Sequence, residues 1–475
     1  MHTQLRQVSP WMAIVALFIL SSQPLLAEGE EFRAGVAVVD ITPPVGMRMS
    51  GYFNERLSTG KHDPLMAKAL VFTQGETKAA FVACDLIGIS AEISGRAREL
   101  AEKKTGIPAT NIVVHCTHSH TGVLYFGSLR KHLHDQAVAK LGSDPAEKFD
   151  FPAHLVKGIV QAIAEAAASA RPVKLLTGKG EETHLSFNRR FHMKDGTVRF
   201  NPGRNNPDVV RVAGPIDPDV GLVLFRDPAS DKSLFSLTSF AMHLDTVGGT
   251  EYSADYPFYL ENKMREELGE GFVSVFGTGT CGDINHIDVT NDKQLGGRPE
   301  CTRLGTALGT TVLASLPKLE PQPQPKLAVK RVAIQVPLQQ YSPEQIKQAA
   351  QRMFQIGTKE LSFLEQVEAN KITDLQVSYT DKLMPLEVQA IQLSDDTVVV
   401  CLPAEVFVEL GQAIKQASKF KTTLVIELCN DCPAYIPTKK AFAEGSYETV
   451  NSRVQSGGGE AMVAAAIELL KELKP

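Results

Sequence analysis

Apolar positions along this chain come in two forms: short runs or alternations of β-branched and aromatic residues, and longer stretches with helical spacing. The first form predicts strands from Gly35 to the prolines at 43 and 44, over 67–73 and 78–84, at Ile112-Val113-Val114 and over 173–177. Gln74-Gly75-Glu76 turns two of these into a hairpin. Further strands are expected over 220–225, 233–242, 271–276, 327–336 and 422–428, with a second hairpin, 386–393 and 397–402, about Ser394-Asp395-Asp396. The second form predicts helices over 91–105, stopped by Gly106 and Pro108, and over the alanine-rich 151–170, broken by Pro172. Others follow at 258–268, 301–315, 342–354, 360–368, 406–417 and 460–474. Strands alternating with helices put the chain in the α/β class: a mixed-sheet core, helices packed on it, and any site expected at the strand ends.

Two stretches interrupt the alternation. From Ser186 to Asp219 the chain is rich in Asn, Gly and Pro, as in Asn201-Pro202-Gly203 and Gly214-Pro215, and an irregular loop is expected. Residues 317–326, PKLEPQPQPK, read as a Pro-rich connection between an N-terminal part, 28–316, and a C-terminal part, 327–475. No internal repeat is visible. Residues 1–27 read as a signal peptide, with Arg6, the apolar run 11–20 and small Ala27 at the end. That run is too short to span a bilayer comfortably, and no later stretch reaches about twenty apolar residues. The expectation is an exported protein, secreted or periplasmic.

Composition adds little beyond this. With 43% hydrophobic and 22% charged residues the material is ordinary and globular, and a net charge of −5 without a basic tail gives no reason to expect nucleic acid. Seven cysteines in an exported chain allow disulfides and leave one thiol over. Cys429 and Cys432 form a CxxC without a second one, so a tight disulfide or two buried thiols is expected rather than a zinc knuckle.

Candidate chemistry concentrates in NIVVHCTHSHTG, residues 111–122. A buried strand delivers His115, His118 and His120, and residues two apart in extended chain project to one side. Imidazole is both a metal ligand and a general acid or base. A second strand ends in His243-Leu244-Asp245. Gly277, Gly279 and Gly282 point to close backbone approach to something, such as an anionic or polar ligand group, but no Gly-Lys-Ser/Thr follows to make a phosphate loop. Arg189-Arg190 reads either as an oxyanion site or as a salt-bridged pair. Pro403-Ala404-Glu405 reads, on spacing alone, as the capped start of a helix.

Taken in order, several short motifs resemble the neutral/alkaline, non-lysosomal ceramidase family. Thr117-His118-Ser119-His120-Thr121-Gly122 is similar to that family's T-H-T-H-S-G, and Phe240-Ala241-Met242-His243 to its F-A-V-H. Leu402-Pro403-Ala404-Glu405 stands where the family has L-P-G-E, Tyr435-Ile436-Pro437-Thr438 where it has Y-V/I-T-T, and Asn188-Arg189 resembles its N-R-S. Tyr447-Glu448 takes the place of a second tyrosine followed by glutamate. The resemblance runs from about residue 33 to the last helix. It implies a zinc ion held by His118, His243, Glu405 and Tyr435, and an amide-cleaving reaction by water made nucleophilic at neutral pH. It also implies His120 as the group that polarises the carbonyl or protonates the leaving amine, with Tyr447 and Arg189 on the oxyanion or the polar head of the substrate.

Three departures accompany the resemblance. Asn285 stands where the family motif carries a functional serine; it cannot be a nucleophile, though it can donate a hydrogen bond. The family's C-terminal immunoglobulin-like domain is not expected here. The segment from Ser186 to Asp219 would shape a different substrate mouth. All three departures weaken ceramide as the substrate more than hydrolysis as the reaction; the resemblance still implies ceramide or a related lipid amide, which would bring the chain into peripheral contact with a membrane. The alternatives are another amide or ester of a lipid or glycan, and a catalytically silent, metal-containing lipid- or glycan-binding protein.

Overall fold

The first sheet of the computed structural model, which describes residues 30–379 and 381–475, runs Ile112–Cys116, Thr77–Cys84, Met66–Gln74, Arg33–Asp40. The last three are antiparallel neighbours, while Ile112–Cys116 joins parallel to Thr77–Cys84. That parallel step is made by the helix Ala91–Thr105, whose N-cap Ser90 accepts the Ile93 N–H and whose C-cap Gly106 sits at φ 69. A second helix, Phe151–Ala168, covers the same face. Its side chains Leu155, Ile159, Ala162 and Ala166 are fully buried against Ala67, Ala69 and Val71. Small residues allow a close fit: a Cβ on Gly35 would lie 2.1 Å from the Ala166 carbonyl oxygen. The signal-peptide reading falls outside the described residues.

The second sheet repeats this plan. Lys174–Glu181, Asp219–Arg226 and Ser233–Phe240 are antiparallel, the helix Tyr256–Leu268 crosses over, Val273–Thr278 joins parallel, and the helix Gly297–Ser315 packs beside the first. The third sheet does so again: Pro325–Pro337, Leu383–Ser394 and Thr397–Cys401 antiparallel, then the helix Val408–Ala417, the parallel strand Thr422–Ile426 and the helix Gly458–Leu473. The fold is mixed α/β, as expected, but it is built from three copies of one β-β-β-α-β-α unit. Nothing in the residues announces the repeat, because each copy needs only apolar positions at the right period. The inner faces of the three sheets meet in one core that includes Phe72, Phe81, Val223, Phe225, Ile391, Val399 and Leu424. Each outer face is covered by its own pair of helices.

Other expectations change in detail. The segment 186–219 is not irregular: Arg190–Met193, Val198–Phe200 and Val209–Val212 form a three-stranded sheet, and Phe187–Asn188 pairs with Ile284–Asn285. Lys194-Asp195-Gly196 is the hairpin turn, with Gly196 at φ 81, so the backbone groups of a long connection find partners. Within the Pro-rich connection, Glu320–Pro321 pairs on the edge of the second sheet, where proline's missing N–H does no harm. The helix Gly127–Leu141 was not foreseen, since it is polar all round and buries only Ser128 and Leu129. All seven cysteines are free thiols, and no helix among the described residues is long and apolar enough to cross a membrane.

The parallel edge strands of the three units meet at one polar junction. His115, fully buried, donates Nδ1–H to the Glu427 carbonyl at 2.8 Å and accepts the Thr278 N–H at Nε2 at 3.2 Å. Burial pushes its pKa down to about 3, so it stays neutral. His115 is therefore a satisfied core group that stitches three units together, and not part of the site. His115→Leu should leave two buried backbone groups unpaired and lower unfolding stability by about 3 kcal/mol, read by urea denaturation, with the capacity to bind metal retained.

Candidate metal centre

Each unit sends the chain beyond its sheet at the same end, and the side chains delivered there converge. His118 follows Ile112–Cys116 of the first unit; His243 follows Ser233–Phe240 of the second; Glu405 follows Thr397–Cys401 of the third. Tyr435 lies in a short parallel pairing, Glu405–Val406 with Tyr435–Ile436, that fixes it next to Glu405. Glu405 does not open the following helix, which starts only at Val408. Non-glycine residues with positive φ cluster at this point: His118 at 78°, Ala404 at 72° and Ala434 at 65°, the last two directly preceding Glu405 and Tyr435. Each such conformation costs on the order of 1 kcal/mol and is held by its surroundings.

Protons decide what the convergence can do. His118 Nδ1–H donates to the Ile87 carbonyl at 2.7 Å and His243 Nδ1–H to the Cys281 carbonyl at 2.8 Å. A carbonyl only accepts, so both imidazoles carry a proton on Nδ1 and, in the neutral form, turn a bare Nε2 inward. These two Nε2 atoms lie 3.1 Å apart, and each lies 3.2 Å from Glu405 Oε2. That oxygen is buried and has no hydrogen-bond donor. With both imidazoles neutral, three lone pairs face one point, which is the donor set a divalent cation such as zinc takes. The residues present fit the metal.

The remaining predicted residues surround this point. His120 Nε2 is 3.4 Å from His118 Nε2, and ligand atoms of His118, His120 and His243 all lie within 4.8 Å of one another. No carbonyl holds the His120 Nδ1 among the described residues, which separates it from the other two. Burial and the neighbouring His118 push its pKa down to about 3. Arg189, buried, donates to the Tyr435 hydroxyl at 3.1 Å, to the Gly282 carbonyl at 2.8 Å and to Glu448 at 2.9 Å. Burial opposes its charge, yet Tyr435, Glu448 and Tyr447 hold the guanidinium protonated. The Tyr447 ring stands 5.4 Å from that of Tyr435, and burial beside Glu405 pushes its hydroxyl up to about 12. Asn285 is fully buried, but its amide is engaged elsewhere, donating to Asn201 and accepting from the Ile287 N–H.

The glycine-rich exit from Val273–Thr278 serves the backbone and not a ligand. A Cβ on Gly282 would sit 2.7 Å from the Glu405 carbonyl oxygen, and Gly282 N–H donates to the Val406 carbonyl at 2.9 Å. Arg190 and Glu448 form with Arg189 a buried ion-pair network, which is the salt-bridged reading of the arginine pair. Residues missed from the sequence are those of an aromatic rim: Phe200 and Phe363 touch each other and Tyr447, and Phe53 touches Phe363, at ring separations of 4.8–5.9 Å. Each of those phenylalanines comes from the connection between the first two long strands of a different unit. A second potential metal cluster, His134, Asp144 and Glu147, is already neutralised by Arg48 and Arg130.

Comparison with known proteins decides the family. A family model described as neutral/alkaline non-lysosomal ceramidase, N-terminal, matches residues 32–290, more than half of the chain. The chain belongs to this family. Among curated relatives, neutral ceramidase A of Dictyostelium discoideum is 25% identical over 277 residues, covering 55% of this chain and 36% of the relative. The neutral ceramidase of Pseudomonas aeruginosa is 25% identical over 288 residues, covering 58% of this chain and 40% of the relative. The matched region thus spans well under half of these relatives' length. The fold is shared more widely: the crystal structure of the Pseudomonas aeruginosa neutral ceramidase superposes with a TM-score of 0.68 at 18% identity, over 93% of this chain and 75% of that one. A structure described as ceramidase complexed with C2 gives 0.70 at 17% identity, over 93% and 76%.

Glu448 pairs with two buried arginines at once. Glu448→Ala should destabilise the protein by about 3–5 kcal/mol, measured by chemical denaturation, because it strands Arg189 without a counter-charge and leaves Arg190 only its longer pair with Glu444.

Proposed function

We propose that this chain is an exported, zinc-dependent amidohydrolase that cleaves the N-acyl bond of ceramide or a closely related lipid amide. The observation that carries the reading is the pair of bare Nε2 atoms of His118 and His243 facing the orphaned Oε2 of Glu405. His118, His243, Glu405 and Tyr435 would hold the zinc. Bound there, zinc supplies a Lewis acid and lowers the pKa of water to about 7.

The protein's own groups account for the rest of the chemistry. His120, neutral and unrestrained at Nδ1, is placed to take up a proton at Nε2 and return it to the leaving amine. Tyr447, protonated at neutral pH, offers a hydroxyl donor to the oxygen that gains charge as the amide carbonyl is attacked. Arg189 holds Tyr435 in place and supplies a fixed positive charge beside both tyrosines. The rim of Phe53, Phe200 and Phe363 gives an apolar wall next to Tyr447, which suits a hydrocarbon chain better than a sugar. Names of the relatives and membership of the family support ceramide over other amides. Asn285, whose amide is already engaged, favours one second reading: a metal-containing protein that binds the lipid without turning it over.

Elemental analysis of the purified protein should find about one zinc per chain, and a fluorogenic ceramide should be hydrolysed in a chelator-sensitive way. His243→Ala should lose both properties. Zinc without turnover on any lipid amide would support the binding reading, and no zinc after reconstitution would sink the proposal. Tyr447→Phe should keep the metal and lower kcat by on the order of 100-fold.

A further inference from the structure

Behind the ligands lies a carboxylate that no step above uses. Glu427 follows Thr422–Ile426, the parallel edge strand of the third unit, and its side chain is fully buried. Its Oε2 accepts the backbone N–H of Val406 at 2.6 Å, and its Oε1 accepts the Cys281 S–H at 3.1 Å. Val406 is the residue next to Glu405. Cys281 is the residue whose carbonyl receives the His243 Nδ1–H. One carboxylate therefore grips the carriers of two proposed ligands, from two different units, with one oxygen on each.

Both of its contacts are donors, so this geometry asks for an acceptor at each oxygen, which a carboxyl group supplies and a side-chain amide, with one acceptor and one donor end, does not. No lysine, arginine or histidine side chain among the described residues makes an ion pair with it, and burial pushes its pKa well above the usual range. What fixes the side chain is its pair of hydrogen bonds to the carriers of Glu405 and His243. Its backbone is fixed as well: the Glu427 N–H donates to the Thr278 carbonyl at 2.9 Å, and its own carbonyl receives His115. The side chain is thus set by the junction of all three units and in turn sets the spacing of Glu405 and His243.

We infer that Glu427 is a positioning residue of the metal centre, a carboxylate behind the ligands that holds His243 and Glu405 at chelating distance and raises the affinity of the site for zinc. The inference rests on the proposed zinc site. Removing such an outer partner commonly weakens metal binding by about 10–100-fold. Glu427→Gln keeps the shape but turns a donor toward one of the two donors it must receive.

The test measures zinc affinity of the full chain by competition with a fluorescent chelator, together with the visible absorption spectrum of the cobalt(II)-substituted protein. Circular dichroism and the melting temperature of the metal-free forms check the fold. Glu427→Gln is expected to fold, to bind zinc about 10–100-fold more weakly, and to shift the cobalt spectrum, which a purely structural role would leave alone. Cys281→Ala, which removes the S–H donor while keeping the carbonyl that orients His243, should move affinity and spectrum the same way by a smaller factor. It carries the test if Glu427→Gln does not fold. Wild-type zinc affinity and an unchanged cobalt spectrum in the folded variants would overturn the inference while leaving the zinc site standing. A parent protein that takes up no zinc would overturn both.

Discussion

Ile87 and Cys281 each present a backbone carbonyl to the Nδ1–H of a buried imidazole, and those two hydrogen bonds turn the bare Nε2 atoms of His118 and His243 toward each other. Nothing else about the site could take its form otherwise. With the opposite tautomers each Nε2 would carry a proton, and Glu405 would be an ordinary hydrogen-bonded carboxylate. With both imidazoles neutral, a carboxylate oxygen and two lone pairs are buried together without a proton to share. That arrangement is unfavourable alone and becomes favourable around a cation. The folded chain is therefore prepared for a charge it does not itself provide.

Preparation of this kind needs backbone that cannot relax, and the three-unit architecture supplies it. Every ligand leaves its unit at the same end of a sheet, and the sheets share one apolar core. Where their edge strands meet, His115, Thr278 and Glu427 hydrogen-bond across unit boundaries, so a shift in one unit breaks polar contacts in another. The left-handed backbone at His118, Ala404 and Ala434 is tolerated because of that over-determination. The same plan organises the rim. The three equivalent connections between the first two strands of each unit bring Phe53, Phe200 and Phe363 together over Tyr447, although one is a loop, one a small sheet and one carries two helices.

Membership in the ceramidase family fits this geometry, and the points of difference are chemically specific. Asn285 occupies the strand segment behind His243, with its amide committed to Asn201 and Ile287. Tyr447 and Arg189, the residues proposed to meet the developing charge, are both tied to Tyr435 by contact or hydrogen bond. Glu448 pairs with Arg189 and Arg190 together, and its removal would strand the buried Arg189, while Arg190 keeps Glu444.

The sequence by itself determined the elements and most of the cast. Apolar periodicity placed nearly every long strand and helix, because period and turn chemistry are local properties of the chain. Histidines at strand ends marked the site, and ordered motifs picked out Glu405, Tyr435 and Tyr447, which spacing alone would have passed over. Tertiary structure decided the rest. It took His115 out of the site by pairing both of its nitrogens with backbone from other units. It moved Glu405 from a helix start into a strand pairing with Tyr435, and it used Gly279 and Gly282 to bring backbone against backbone. It also brought Glu427 to the ligands from behind. Such roles depend on which distant carbonyl or N–H a side chain meets, and that is settled only when separate sheets pack against one another.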